Sequence, residues 1–206
     1  MIKATKISKS FLDRTIFKDL DFDVKKGEIK AIVGPSGKGK TTLLSVLSGL
    51  QKVEQGTIEI DGCILVKGGK YVKLKKQKEI LKNISVVFQN FNLFSNLNVL
   101  KNLEIVNKDY EKIDLLLKRF GLYDKKTSSL NGLSGGEKQR LSIIRALMKN
   151  PKIIFFDEPT SALDVLNANY VLDLILELKE EGYTIVVVTH DLKFVELLNC
   201  DVFSME

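Results

Sequence analysis

Apolar residues fall into short runs separated by polar turns. Ile2 to Ile7, Leu20 to Val24 and Ile29 to Val33 have strand-like spacing, with Gly27-Glu28 as the turn between the last two. From Thr41 to Leu50 leucines recur at helical intervals, and the pattern stops near Gly49. Gly56 to Gly62 alternates as a strand, and Ser85-Val86-Val87-Phe88 reads as a buried strand ending at Gln89. From about Asn90 to Lys149 the pattern turns mostly helical. Ile113, Leu115, Leu116, Leu117 and Phe120 supply one apolar face, closed by Gly121. Glu137 to Met148 supplies another through Leu141, Ile143, Ile144, Leu147 and Met148. Strand 153–156, helix 165–180, strand 184–189, short helix 192–198 and a closing strand within Cys200–Glu206 follow. Pro151 ends a helix and Pro159 stops a strand, since proline lacks the backbone donor. Strands alternating with helices predict an α/β chain with a largely parallel sheet.

With 206 residues and 44% hydrophobic content, the chain suits one domain, or one core with an inserted lobe. Cys63 and Cys200 have no ligand-like spacing and read as small buried side chains in a reducing compartment. The first residues lack the apolar stretch of a signal peptide. No run approaches the roughly 18–20 apolar residues that span a bilayer. The expectation is a soluble cytosolic protein.

The net charge of +6 leaves anionic partners open. The densest basic stretch runs from Lys67 to Lys82, through Lys70, Lys73, Lys75, Lys76 and Lys78, with Tyr71 as a lone aromatic. A solvated lysine-rich loop or hairpin is the first reading; contact with anionic lipid or with nucleic acid are the alternatives.

The chemistry lies where apolar runs end. Gly34-Pro35-Ser36-Gly37-Lys38-Gly39-Lys40-Thr41, followed by Thr42, matches the phosphate loop G-x-x-x-x-G-K-S/T after a strand and before a helix. Its glycines let successive N–H groups face phosphate oxygens, and the helix start adds positive potential. Lys40 reaches the outer phosphates, Thr41 offers a hydroxyl to Mg²⁺, and Lys38 is expected to point to solvent. Asp157-Glu158 follows Ile153-Ile154-Phe155-Phe156, placing carboxylates at a strand's carboxyl end near that loop. Asp157 is the candidate to hold Mg²⁺ through water, and Glu158 the candidate to polarise the attacking water. Ser134-Gly135-Gly136-Glu137, after Leu133, makes a second anion-binding helix start. One nucleotide does not need two such ends from one subunit; two copies related by a two-fold axis would use both.

These segments, in this order, resemble the nucleotide-binding subunit of ABC transporters over essentially the whole chain. Leu133 to Glu137 resembles that family's signature. The resemblance implies a P-loop NTPase fold of ABC type: a mostly parallel central sheet, an antiparallel N-terminal β portion and an inserted α-helical subdomain. It implies a catalytic core at 1–89 and 150–206, with a helical subdomain at about 90–149. Gln89 matches the Q-loop glutamine, a contact to Mg²⁺ and to the transmembrane partner. Ser161-Ala162-Leu163-Asp164 matches the D-loop. His190, the chain's one histidine, matches the switch histidine near the γ-phosphate. Phe11 falls where the family stacks an aromatic on adenine.

The implied activity is ATP hydrolysis with ATP and Mg²⁺, by two ATPase subunits, identical or closely homologous, bound to permease subunits on the cytoplasmic face of the cell membrane, with no nucleic acid. Gln89-Asn90-Phe91-Asn92-Leu93-Phe94 and the Asp157–Asp164 segment resemble two branches, polar amino acid importers and the lipoprotein-releasing and macrolide-exporting type. After the closing strand the family's usual further strand and helix do not follow. Rival readings are a soluble ABC-type ATPase acting on nucleic acid or the ribosome, and an ATP-dependent clamp that holds a membrane partner and barely hydrolyses.

Overall fold

A computed structural model describes every residue except Asp13, Ala162 and Glu206. Among these residues the strands form two sheets. The first contains β1 (Ile2–Phe11), β2 (Arg14–Val24), β4 (Gln55–Ile60), β5 (Cys63–Lys67) and β6 (Lys70–Tyr71), in the order β2-β1-β4-β5-β6 and antiparallel throughout. The second contains β3 (Ile29–Val33), β7 (Ile84–Val87), β8 (Ile153–Asp157), β9 (Thr184–Val188) and β10 (Asp201–Ser204), in the order β10-β3-β9-β8-β7 and all parallel. The α/β prediction and the antiparallel N-terminal portion are both present.

Parallel strands need cover on both faces, so β8 and β9 are buried at every position. One face packs against α1 (Lys40–Leu47) and the antiparallel sheet through Ile32, Leu43, Leu47, Phe155 and Val186. The other continues into the helical segment. There Val87, Phe156 and Val187 share one apolar cluster with α3 (Val99–Glu104), α4 (Tyr110–Arg119), α5 (Gly135–Leu147) and α6 (Val165–Glu180). The short α7 (Leu192–Leu198) buries Leu198 on the same side.

Several expectations are corrected. Leu115 is 66% exposed, because it stands about 200° round α4 from buried Ile113, opposite Leu117 and Phe120. Cys63 is exposed at the start of β5, just after the Asp61-Gly62 turn, and Cys200 is half-buried. The lysine-rich stretch is a β5–β6 hairpin only as far as Tyr71; α2 (Leu74–Leu81) follows. α2 buries only Ile80, so it carries almost no apolar periodicity to read. No helix among the described residues is long and apolar enough to cross a membrane.

Phe156→Ala is expected to cost about 3–5 kcal/mol in equilibrium denaturation, since it empties a fully buried site. Leu115→Ala should stay within about 0.5 kcal/mol; a comparable loss there would return Leu115 to the core.

Candidate nucleotide site

The parallel sheet's strand order decides what meets. β3, β9, β8 and β7 lie side by side, so the segments leaving their carboxyl ends do too: the phosphate loop, His190, Asp157-Glu158 and Gln89. Neighbouring strands are roughly 5 Å apart, so all four fall within roughly 15 Å.

The phosphate loop is built on backbone that side chains resist. Gly39, the residue before α1, has φ 93°, and a Cβ there would lie 2.4 Å from Ile16 Cγ2 of β2. At Gly34 a Cβ would meet the Met205 carbonyl at 2.4 Å, and the Met205 N–H donates to the Val33 carbonyl (2.8 Å). Ile16 of β2 and Met205 after β10 thus both pack against the loop. Pro35, Ser36 and Lys38 are exposed, as expected of Lys38.

Lys40 is only 6% exposed. Its Nζ donates to the carbonyls of Gly34 (2.8 Å) and Pro35 (3.2 Å) and lies 3.8 Å from Glu158 Oε1. Thr41 Oγ1 donates to Asp157 Oδ1 at 3.0 Å. Burial pushes the Asp157 carboxyl up; the Glu158 charge adds to this, while the Thr41 hydrogen bond and Lys40 oppose it.

Glu158 has a left-handed backbone, φ 47°, rare for a residue with a side chain. Its N–H donates to the Val188 carbonyl at 2.8 Å, and its Oε2 lies 2.9 Å from His190 Nδ1. The twist turns the carboxylate from the sheet edge toward Lys40 and His190. Gln89 Nε2 donates to Ser161 Oγ (3.1 Å), which donates to the Glu158 carbonyl (3.0 Å). Ala162 of the same loop lies outside the described residues.

Ser134 and Glu137 stand apart from this group and close a capping box. Ser134 Oγ accepts from the Glu137 N–H (3.2 Å), and Glu137 Oε2 accepts from the Ser134 N–H (2.8 Å). Lys125 at 2.6 Å from Glu137 Oε1 holds that carboxyl below its usual range, helped by the Ser134 bond. Ser134 and Gly135 are exposed and Gly136 is buried. No hydrogen bond among the described residues joins Ser134 or Glu137 to Lys40, Thr41, Asp157, Glu158 or His190. Phe11 is 45% exposed on the β1–β2 hairpin, with Lys9 Nζ 4.7 Å from its ring centre.

Residue reading missed the packing partners Ile16 and Met205 and the hydrogen-bonding pair Arg140 and Asn167. None carries a local signal: each matters through a contact distant in sequence. Asp164, matched above only to the D-loop, also caps α6: its side chain accepts from the Asn167 N–H.

The ABC transporter family model matches residues 17–161. The arginine transport ATP-binding protein ArtM of Bacillus subtilis is 42% identical over 203 residues, covering 94% of this chain and 82% of the relative. The lipoprotein-releasing system ATP-binding protein LolD of Bacteroides thetaiotaomicron is 39% identical over 204 residues, 93% and 90% of the two chains. Among solved structures, the dimeric post-hydrolysis state of the ATP-binding cassette MJ0796 with ADP and Pi aligns at TM-score 0.85 and 31% identity, covering 100% of this chain and 94% of that one. Segment order, site geometry and these similarities agree: the chain belongs to the ABC transporter ATP-binding family.

Proposed function

We propose that this ATPase subunit closes as a pair around two ATP molecules and drives transmembrane permease subunits, with polar amino acid import as its transport role. The observation that carries the reading is the division of the site. Lys40, Thr41, Asp157, Glu158 and His190 converge, while a second helix start at Ser134 stays exposed with nothing of its own to bind. A second copy's phosphate would supply its ligand. That MJ0796 cassette is dimeric, which supports the pairing.

Lys40 and the loop amides would grip the outer phosphates. Charge stabilisation and positioning do most of phosphoryl transfer, so few further groups are needed. Glu158 would take a proton from the attacking water, and His190 would hold that carboxylate and the γ-phosphate in place. Asp157 and the Thr41 hydroxyl offer paired hard oxygens for Mg²⁺, with Gln89 as a further ligand. No group of three or more His, Cys, Asp or Glu among the described residues is placed to hold a metal ion by itself. This suits an ion completed by phosphate and water. When bound, Mg²⁺ would neutralise charge on the outer phosphates. Gly34 to Thr42 would form the cradle, Phe11 would stack on adenine, and Ser134, Gly135 and Gly136 would face the partner's γ-phosphate. Glu137 would act there by fixing the helix start.

Residues 1–89 and 150–206 would form the core and about 90–149 the helical lobe. Between them lies a groove lined by Leu50, Leu81, Val86, Phe88, Val106 and Arg145. A permease segment there, at the cytoplasmic face of the membrane, would move with Gln89. Amino acid import rests on the Gln89–Phe94 and Asp157–Asp164 resemblance and on the likeness to ArtM; the likeness to LolD keeps lipoprotein release as the second reading.

Glu158→Gln should retain ATP binding and dimerise with ATP while turnover falls about 10²–10⁴-fold, as for loss of a general base. Unchanged steady-state turnover would remove Glu158 from that role. Lys40→Ala should weaken nucleotide binding in direct titration; retained affinity would contradict the cradle. For transport, import predicts that ATPase activity of the permease complex rises with an amino acid-loaded solute-binding protein, whereas lipoprotein release predicts no such response.

A further inference from the structure

The loop after Glu158 and the helix beginning at Ser134 are joined by one side chain. Asn167 stands in the first turn of α6. Its N–H donates to Asp164 Oδ1 (2.8 Å), and its Nδ2 donates to both oxygens of that carboxylate, 3.0 and 2.9 Å. The nitrogen end of the amide is therefore committed to Asp164, and the oxygen end faces α5. A flipped amide would set its oxygen against the carboxylate and its N–H groups against a guanidinium, so the network fixes the orientation.

On α5, Asn167 Oδ1 accepts from Arg140 Nη1 at 3.3 Å. It also lies 2.0 Å from where a Cβ on Gly136 would stand. Only a residue without a side chain lets the amide approach, which gives the second glycine of Ser134-Gly135-Gly136 a task inside its own chain. Arg140 lies over the Tyr170 ring, 5.1 Å from its centre, and its Nε is buried with no partner. The guanidinium therefore relies on few contacts, and Asn167 supplies one of them. Capping α6 needs only the Asn167 backbone N–H. The side-chain bonds exceed that need and run to the other motif.

We propose that Asn167 is a positioning residue for hydrolysis: it registers the Ser134–Glu137 helix start against the loop carrying Glu158 and Asp164, and so sets how well this chain closes on the ATP held by its partner. This rests on the paired reading above. Asn167 touches neither the phosphate loop nor the capping box directly. Its loss should therefore spare ATP capture by a single chain and weaken closure of two.

The test separates those steps. In wild-type background, Asn167→Ala should leave monomer ATP affinity and melting temperature unchanged while steady-state turnover drops. In the Glu158→Gln background, where ATP is not consumed, the same substitution should raise the dissociation constant of the ATP-bound dimer about five- to tenfold, as for one or two lost hydrogen bonds. Arg140→Ala should produce a similar rise, and the pair together little more than either alone, because both remove one link.

Weakened turnover with unchanged dimer affinity would mean that Asn167 acts on its own chain's Glu158, and would overturn the proposal. Reduced monomer ATP affinity or a lowered melting temperature would reduce it to a structural role, with the same result. Failure of Glu158→Gln itself to dimerise with ATP would overturn the paired reading and this one together.

Discussion

A nearly buried ammonium has to be offset where it sits, and the site is arranged round that need. Isolated charge in a protein interior is costly. Lys40 meets the cost with two carbonyls of its own loop and with Glu158 at 3.8 Å. The loop must curl back on its lysine to bring those carbonyls within reach, and Gly34 and Gly39 permit the curl. Glu158 must come forward from the sheet, and its left-handed backbone brings it. Each of these features is awkward alone; together they satisfy one another at the carboxyl ends of the parallel strands.

The parallel sheet makes that edge possible. Because β3, β9, β8 and β7 all run the same way, their following segments share one rim. The helix start at Ser134 is excluded from the rim because its strand neighbourhood is different: α5 lies under the helical side of the sheet, where Leu141 and Ile144 join Val87 and Phe156. Its polar groups are satisfied locally by Glu137 and Lys125, so it can stay exposed without a ligand. An exposed, self-capped helix start on one surface and the phosphate loop on another suit the proposed face-to-face association of two copies.

Much of this was legible because the motifs join a residue pattern to a break in periodicity. The strand before Gly34 and the strand before Asp157 announce their ends by glycine and by charge, so the site residues follow from the pattern. β1 and β2 run past the predicted Ile7 and begin before Leu20, because a two-stranded ribbon continues on backbone pairing after its apolar alternation has lapsed. α2 was hidden because its stability comes from helix-forming lysines, not from a buried stripe. Leu115 was misplaced because a run of leucines fills both sides of a helix. Asn167 was out of reach: an asparagine near a helix start has many bland uses, and its partner Arg140 lies 27 positions away.

The contacts of Ile16 and Met205 on the phosphate loop bear on how the protein is made. The loop's own strand, β3, pairs with β10, so its final shape depends on residues 201–205. During synthesis the glycines of the loop emerge long before that strand, and through this interval they lack the Met205 contact. A nascent chain can collapse its antiparallel ribbon early, since those contacts are local. It cannot finish the cradle until β10 and Met205 have left the ribosome, so competence to take up nucleotide waits on a segment about 165 positions beyond the loop it completes.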